Sequence, residues 1–132
     1  MKHSELSSAI IGICIEVHRE LGPGLLESIY EKAVCYELGK AGYFYERQKG
    51  IRTFYKGHDL DLGFRADIIV AHSVLLELKS VAIVPAVDKK IVLSYLRLTE
   101  IEVGLIINFN VSKLTEGITR LVLDRNQPCP QK

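Results

Sequence analysis

At 132 residues, 48% of them hydrophobic and 25% charged, the chain has the make-up of a folded soluble protein, which excludes intrinsic disorder. The length suits one domain, expected over residues 1 to 123, whose core needs no disulfide or metal staple. A formal net charge of +1 excludes a global field for nucleic acid or acidic lipid, so any polyanion must be met locally.

Residues 4 to 21 place Leu6, Ile10, Ile13, Cys14, Val17 and Leu21 near the i, i+3, i+4, i+7 spacing of an amphipathic helix. Its run AIIGICI, residues 9 to 15, is too short to span a bilayer, so no membrane partner is expected. A basic start and a small-residue cleavage site are both missing, which argues against a signal peptide. Gly22-Pro23-Gly24 stops the helix, because glycine accepts the left-handed conformation past a helix end and proline cannot continue it. A second helix is expected from about residue 25 to 38, with Leu26, Ile29, Tyr30, Ala33, Val34 and Leu38 on its apolar side and Gly39 and Gly42 at its end. Cys14, Cys35 and Cys129 are odd in number, widely spaced and form no CxxC, which fits a reducing cytoplasm rather than a disulfide framework or zinc site.

The sheet follows. Residues 51 to 55 read as a short strand, and Lys56-Gly57-His58-Asp59 supplies hairpin chemistry. On the return strand Leu60, Leu62, Phe64, Ala66, Ile68 and Val70 alternate with polar residues, so these six predict one buried face. Ala71-His72-Ser73 makes the next turn, and Val74, Leu76 and Leu78 continue that face. Residues 86 to 98 predict a helix with Val87, Ile91, Ser94, Tyr95 and Leu98 on one side. VGLIINF, residues 103 to 109, has the continuous apolar character of a strand buried on both faces beside a parallel neighbour. Residues 117 to 123 predict a last strand, and 124 to 132 a polar, frayed tail.

Three charges interrupt the apolar pattern of RADIIVAHSVLLELKS, residues 65 to 80. A turn centred on His72 sets Asp67 opposite Glu77 and Arg65 opposite Lys79; a one-residue slip would turn the apolar set to the wrong face. Carboxylates so paired have Cβ atoms roughly 5 Å apart and repel. They are tolerated if exposed, if one is protonated, or if a cation sits between them. Lys79 projects from the same face as Glu77. Two readings stay open: a solvated charged face of an antiparallel pair, or two acids and an ammonium arranged for a hard divalent ion and its water.

GPGLLESIY (22 to 30) carries Gly24-x-x-Glu27-x-x-Tyr30. With Asp67…Glu77-x-Lys79 and YLRLTEIEVGLIINFN (95 to 110), it resembles the GxxExxY proteins of the PD-(D/E)XK, restriction-endonuclease-like superfamily, over residues 9 to 123. The resemblance implies an α/β (mixed α+β) fold: an αβββαβ core, a mixed central sheet flanked by helices, and an extra N-terminal helix. It implies a nuclease using Mg²⁺ or Mn²⁺ on DNA or RNA. Asp67 and Glu77 would be metal ligands, joined by the backbone carbonyl of Leu78, and Lys79 would position or deprotonate the attacking water. Glu27 would be an outer or second-metal carboxylate, and His18 a further metal contact. As helix N3 residue, Glu27 would equally suit the helix dipole. Lys89, Lys90 and Tyr95 are candidate phosphate contacts, the two lysines being equally a solvated helix face. Ile91 stands where family members carry a glutamine four residues before the tyrosine. That departure keeps a second function in view: a catalytically weakened nucleic-acid-binding or protein-interaction module, with room for a homodimer.

Overall fold

Residues 3–124 are described by the computed structural model of the chain. In chain order they form α1 (Ser4–Leu21), α2 (Glu27–Lys40), β1 (Tyr45–Tyr55), β2 (His58–Val70), β3 (Val74–Lys79), α3 (Val87–Leu98), β4 (Val103–Asn108) and β5 (Ile118–Val122), with a 3₁₀ turn at Leu114–Gly117. One sheet holds the strands in the order β1-β2-β3-β4-β5. Hairpins and short turns make every neighbouring pair antiparallel except β3 and β4, which run parallel because α3 carries the chain back between them. The mixed sheet, the αβββαβ order from α2 onward and the extra helix α1 are the architecture expected from sequence. The tail expected over 124 to 132, Cys129 included, lies outside the described residues beyond Asp124.

Alternation splits the central strands between two cores. Ile68, Val70, Val74, Leu76, Leu78, Leu105 and Ile107 pack with Ile10, Cys14, Tyr30, Val34 and Leu38 of α1 and α2. Ile69, Leu75 and Ile106 face the other way and pack with Val92 and Leu96 of α3. Every residue of β4 is buried, as its unbroken apolar run requires. The β2–β3 register pairs Ile68 with Leu76, Ile69 with Leu75 and Val70 with Val74, so Asp67 and Glu77 are the next residues along.

Four expectations need correction. Strand β1 begins at Tyr45 rather than residue 51, and it passes through Gln48 at φ 51°. Helix α2 begins at Glu27 after an extended Leu26, because Gly22 and Gly24 take φ of 73° and 92° and delay its start; Glu27 is therefore its first residue, not its third. Leu60 and Leu62 are 56% and 51% exposed, since β2 outruns β3 there and has only β1 beside it. Val87, Ile91 and Leu98 lie on the exposed side of α3, whose buried residues are Val92 and Leu96.

Gly104 of β4 selects that helix face. A Cβ added there would come within 2.9 Å of Val92 Cγ1, so only glycine lets α3 lie so close. Gly104→Val is expected to cost about 1–3 kcal/mol, read as a lower urea midpoint. Gly12, exposed in mid-α1 with nothing near its missing Cβ, gives the opposite sign: Gly12→Ala should gain roughly 0.5–1 kcal/mol.

Candidate active site

The β2–β3 ladder ends where its charged residues begin, and their side chains take over its hydrogen bonds. The Leu78 N–H donates to Asp67 Oδ2 at 2.8 Å, and the Asp67 N–H reaches Glu77 Oε1 at 3.5 Å. Each carboxylate thus binds the backbone of the strand opposite, and the two share one small space. Glu77 is 9% exposed. Burial and then the charge of Asp67 push its carboxyl up to about 8. Burial raises Asp67 as well, opposed by the Leu78 N–H, while the charge of Glu31 adds to the rise.

Lys79 extends along the same strand, but its ammonium lies 3.7 Å from Asp88 Oδ2 near the start of α3 rather than on either carboxylate. Its charge still favours ionisation of both Glu77 and Asp67. Among the described residues neither of these two carboxylates has an ion-pair partner. Two largely desolvated acids with no ion-pair partner favour uptake of a proton or a cation.

That donor set fits a hard divalent ion. Among the described residues no three His, Cys, Asp or Glu side chains form a complete metal cage. Mg²⁺ does not need one: it is commonly held by one or two carboxylates and keeps several waters. Asp67 and Glu77 offer oxygen donors of the right hardness and charge.

The remaining expected residues are placed differently. Glu27, at the head of α2, accepts the Ser80 N–H at 3.0 Å, one residue past Lys79. Ser80 Oγ donates to the Leu25 carbonyl at 2.6 Å, so helix α2 and the end of β3 are clipped together twice. Tyr30 completes that clip. Its hydroxyl donates to the Gly22 carbonyl at 2.5 Å and accepts from the Leu25 N–H at 3.1 Å, and its ring stacks on Phe109 at 4.3 Å. His18 Nε2 donates to the Val111 carbonyl at 2.8 Å, and no hydrogen bond or ion pair joins it to Asp67, Glu77 or Lys79. It fastens α1 to the segment after β4. Tyr95 stacks on Phe64 with ring centroids 3.8 Å apart, and burial followed by the charge of Glu77 raises its hydroxyl. Lys90 is exposed; Lys89 is exposed and lines a groove with Asn108, Glu116 and Thr119. Ile91, one turn before Tyr95, is 40% exposed and offers no polar group.

Four residues that matter do not stand out in the sequence. Glu31 is only 5% exposed, and its carboxylate accepts from Arg47 Nε and Gln48 Nε2, each at 2.6 Å. Gln48 also lies 3.4 Å from Asp67 Oδ1, so it bridges Glu31 to the site. Asn108 binds both the N–H and the carbonyl of Val81, which anchors the loop that follows Lys79. Asp88 holds Lys79. A charge at position 31, within the buried stripe of Tyr30, Val34, Cys35 and Leu38, is the one available signal. Gln48 is hidden because the sequence pattern starts β1 three residues after it.

The family model described as the PD-(D/E)XK nuclease superfamily matches residues 4–121. No curated protein and no solved structure matches the chain.

Proposed function

This chain belongs to the PD-(D/E)XK nuclease superfamily, and from that premise we propose that it is a Mg²⁺- or Mn²⁺-dependent phosphodiesterase acting on DNA or RNA. The observation that carries the reading is the juxtaposition of Asp67 and Glu77, two desolvated carboxylates, neither of them ion-paired among the described residues. Asp67, Glu77 and the Leu78 carbonyl would hold the ion. Bound there, it would act as a Lewis acid on a phosphoryl oxygen and make nearby water more acidic.

The chain's own residues supply the rest. The Leu78 N–H fixes Asp67 Oδ2 at 2.8 Å, while Gln48 Nε2 stands 3.4 Å from Oδ1, the more loosely held oxygen. Lys79, held by Asp88, stands ready to orient the attacking water and to offset charge on the phosphate. Glu27 positions Lys79 by fixing the amide of the next residue, and the Gly24-x-x-Glu27-x-x-Tyr30 element is the clip that keeps Glu27 in place. Tyr95, near both carboxylates, and the exposed Lys89 and Lys90 are the side chains available to a substrate phosphate. Pure protein is expected to cleave labelled oligonucleotides with Mn²⁺ or Mg²⁺ and to stop in chelator. Cleavage that survives Asp67→Asn would belong to a contaminant and end the proposal.

One observation favours a second reading. Ile91 puts an apolar side chain one turn from Tyr95, which suits a module that binds nucleic acid without cutting it. Metal-independent binding with no cleavage under any ion would select that reading.

A further inference from the structure

Gln48 sits across the β1–β2 ladder from Asp67. The pairs on either side, Arg47 with Ile68 and Lys49 with Ala66, leave these two residues opposite each other. The Gln48 backbone takes φ of 51° within a strand, in the left-handed region that a residue with a long side chain enters at a cost. Such conformations concentrate at functional sites, where the surrounding structure over-determines them. Gln48 Nε2 donates to Glu31 Oε1 at 2.6 Å and also reaches Asp67 Oδ1 at 3.4 Å. The orientation of the amide is settled by these neighbours. A carboxylate only accepts, and the amide nitrogen carries two N–H groups, one for each.

The two bonds are unequal, and the inequality is informative. Glu31 is buried on α2, and its other oxygen takes Arg47 Nε at 2.6 Å, so it is a fixed post. From that post the amide is held firmly and meets Asp67 at the long end of hydrogen bonding. On the far side, Asp67 Oδ2 accepts the Leu78 N–H at 2.8 Å. The Asp67 carboxylate is therefore gripped from β1 and from β3, loosely through one oxygen and tightly through the other. A loose bond restrains rotation of the carboxyl group without competing strongly for the oxygen that a cation would take.

We propose that Gln48 is a positioning residue: anchored on Glu31, it holds the Asp67 carboxylate in the orientation in which it meets Glu77. What Asp67 is held for rests on the nuclease reading; the hold itself does not. A simple tie between α2 and β1 is the competing role, and Arg47 separates the two. Arg47→Met removes the other bond from Glu31 to β1 and leaves the amide on Asp67. Gln48→Leu removes the amide at nearly the same size. Both residues are exposed, so neither change opens a cavity, and both variants should fold with modestly lower thermal midpoints.

In metal-free protein, hydrogen exchange at the Leu78 amide, followed by NMR, reports whether Asp67 stays on it. Gln48→Leu should speed that exchange roughly two- to tenfold relative to the amides of β4, and Arg47→Met should not. Calorimetry should show Mn²⁺ bound about 10–100-fold more weakly by Gln48→Leu, and within a few-fold of the parent by Arg47→Met. Parent-like exchange at Leu78 in Gln48→Leu would overturn the assignment. So would equal effects of the two variants, which would make the amide a structural tie. Faster exchange with undiminished Mn²⁺ uptake would overturn it as well, since Asp67 would then serve the ion however it is held. A parent protein that takes up no Mn²⁺ would sink the nuclease reading alone, and exchange at Leu78 would still decide for or against Gln48.

Discussion

Metal-free protein is expected to lose stability as the pH rises from about 5 to about 8, and Glu77→Gln should remove most of that slope. The sign follows from proton counts. Glu77 titrates near 4.5 when exposed but at about 8 in the fold, because it is buried beside Asp67. Between those values the folded chain holds a proton that the unfolded chain has released. Folding then takes up a proton, so it weakens with each unit of pH and levels off above about 8. The rise of Asp67 acts in the same direction, starting from its own lower reference. The expected loss is about 2–5 kcal/mol across the window, read from urea midpoints at fixed ionic strength. Glutamine keeps the shape of Glu77 and carries no charge, so at pH 9 the variant should be more stable than the parent. A divalent ion would do what the proton does at low pH. Mn²⁺ should therefore raise the midpoint more at pH 8 than at pH 6 in the parent and hardly at all in Glu77→Gln. A slope that survives in the glutamine variant would mean that the pair is not desolvated as described.

How much of this is legible without coordinates depends on periodicity. Helix α1 is bounded by its apolar spacing because Gly22-Pro23-Gly24 admits no other reading, and β4 announces itself as an unbroken run. The pairing of Asp67 with Glu77 follows from one turn and one alternation, since a period of two leaves no room for a half-step. Periodicity fails where tertiary context decides. Leu60 and Leu62 alternate perfectly, yet the strand that would cover them is absent, and an alternation cannot report the length of a neighbour. The buried side of α3 is misread from sequence because the helix has apolar residues on several sides, and the hollow at Gly104 picks Val92 and Leu96. Around the site, the roles of Glu31, Gln48 and Asp88 come from contacts spanning up to 19 residues of sequence, which no local pattern encodes. Glu27 shows the subtler difficulty. The motif draws the eye to it, but its hydrogen bond to Ser80 depends on a helix start displaced by two glycines.

Replacing Lys79 by alanine should separate catalysis from metal binding. Its ammonium is not bonded to either carboxylate, so Mn²⁺ affinity measured by calorimetry should stay within a few-fold of the parent, whereas Asp67→Asn removes a ligand and should abolish it. The cleavage rate should nevertheless fall by roughly 10²–10⁴-fold in Lys79→Ala, the usual scale for losing a positioned proton-transfer group. The fall should appear in kcat with KM little changed, because an interaction made mainly as charge develops on phosphorus does not serve the bound substrate. Asp88→Asn tests the same ammonium from the other side. Asp88 holds Lys79 at 3.7 Å, so without its charge the lysine loses its tether while keeping its chemistry. Activity should drop less than in Lys79→Ala. Should Lys79→Ala instead abolish Mn²⁺ binding and leave the residual rate proportional to bound metal, the lysine would be a support for the site rather than a participant in the reaction.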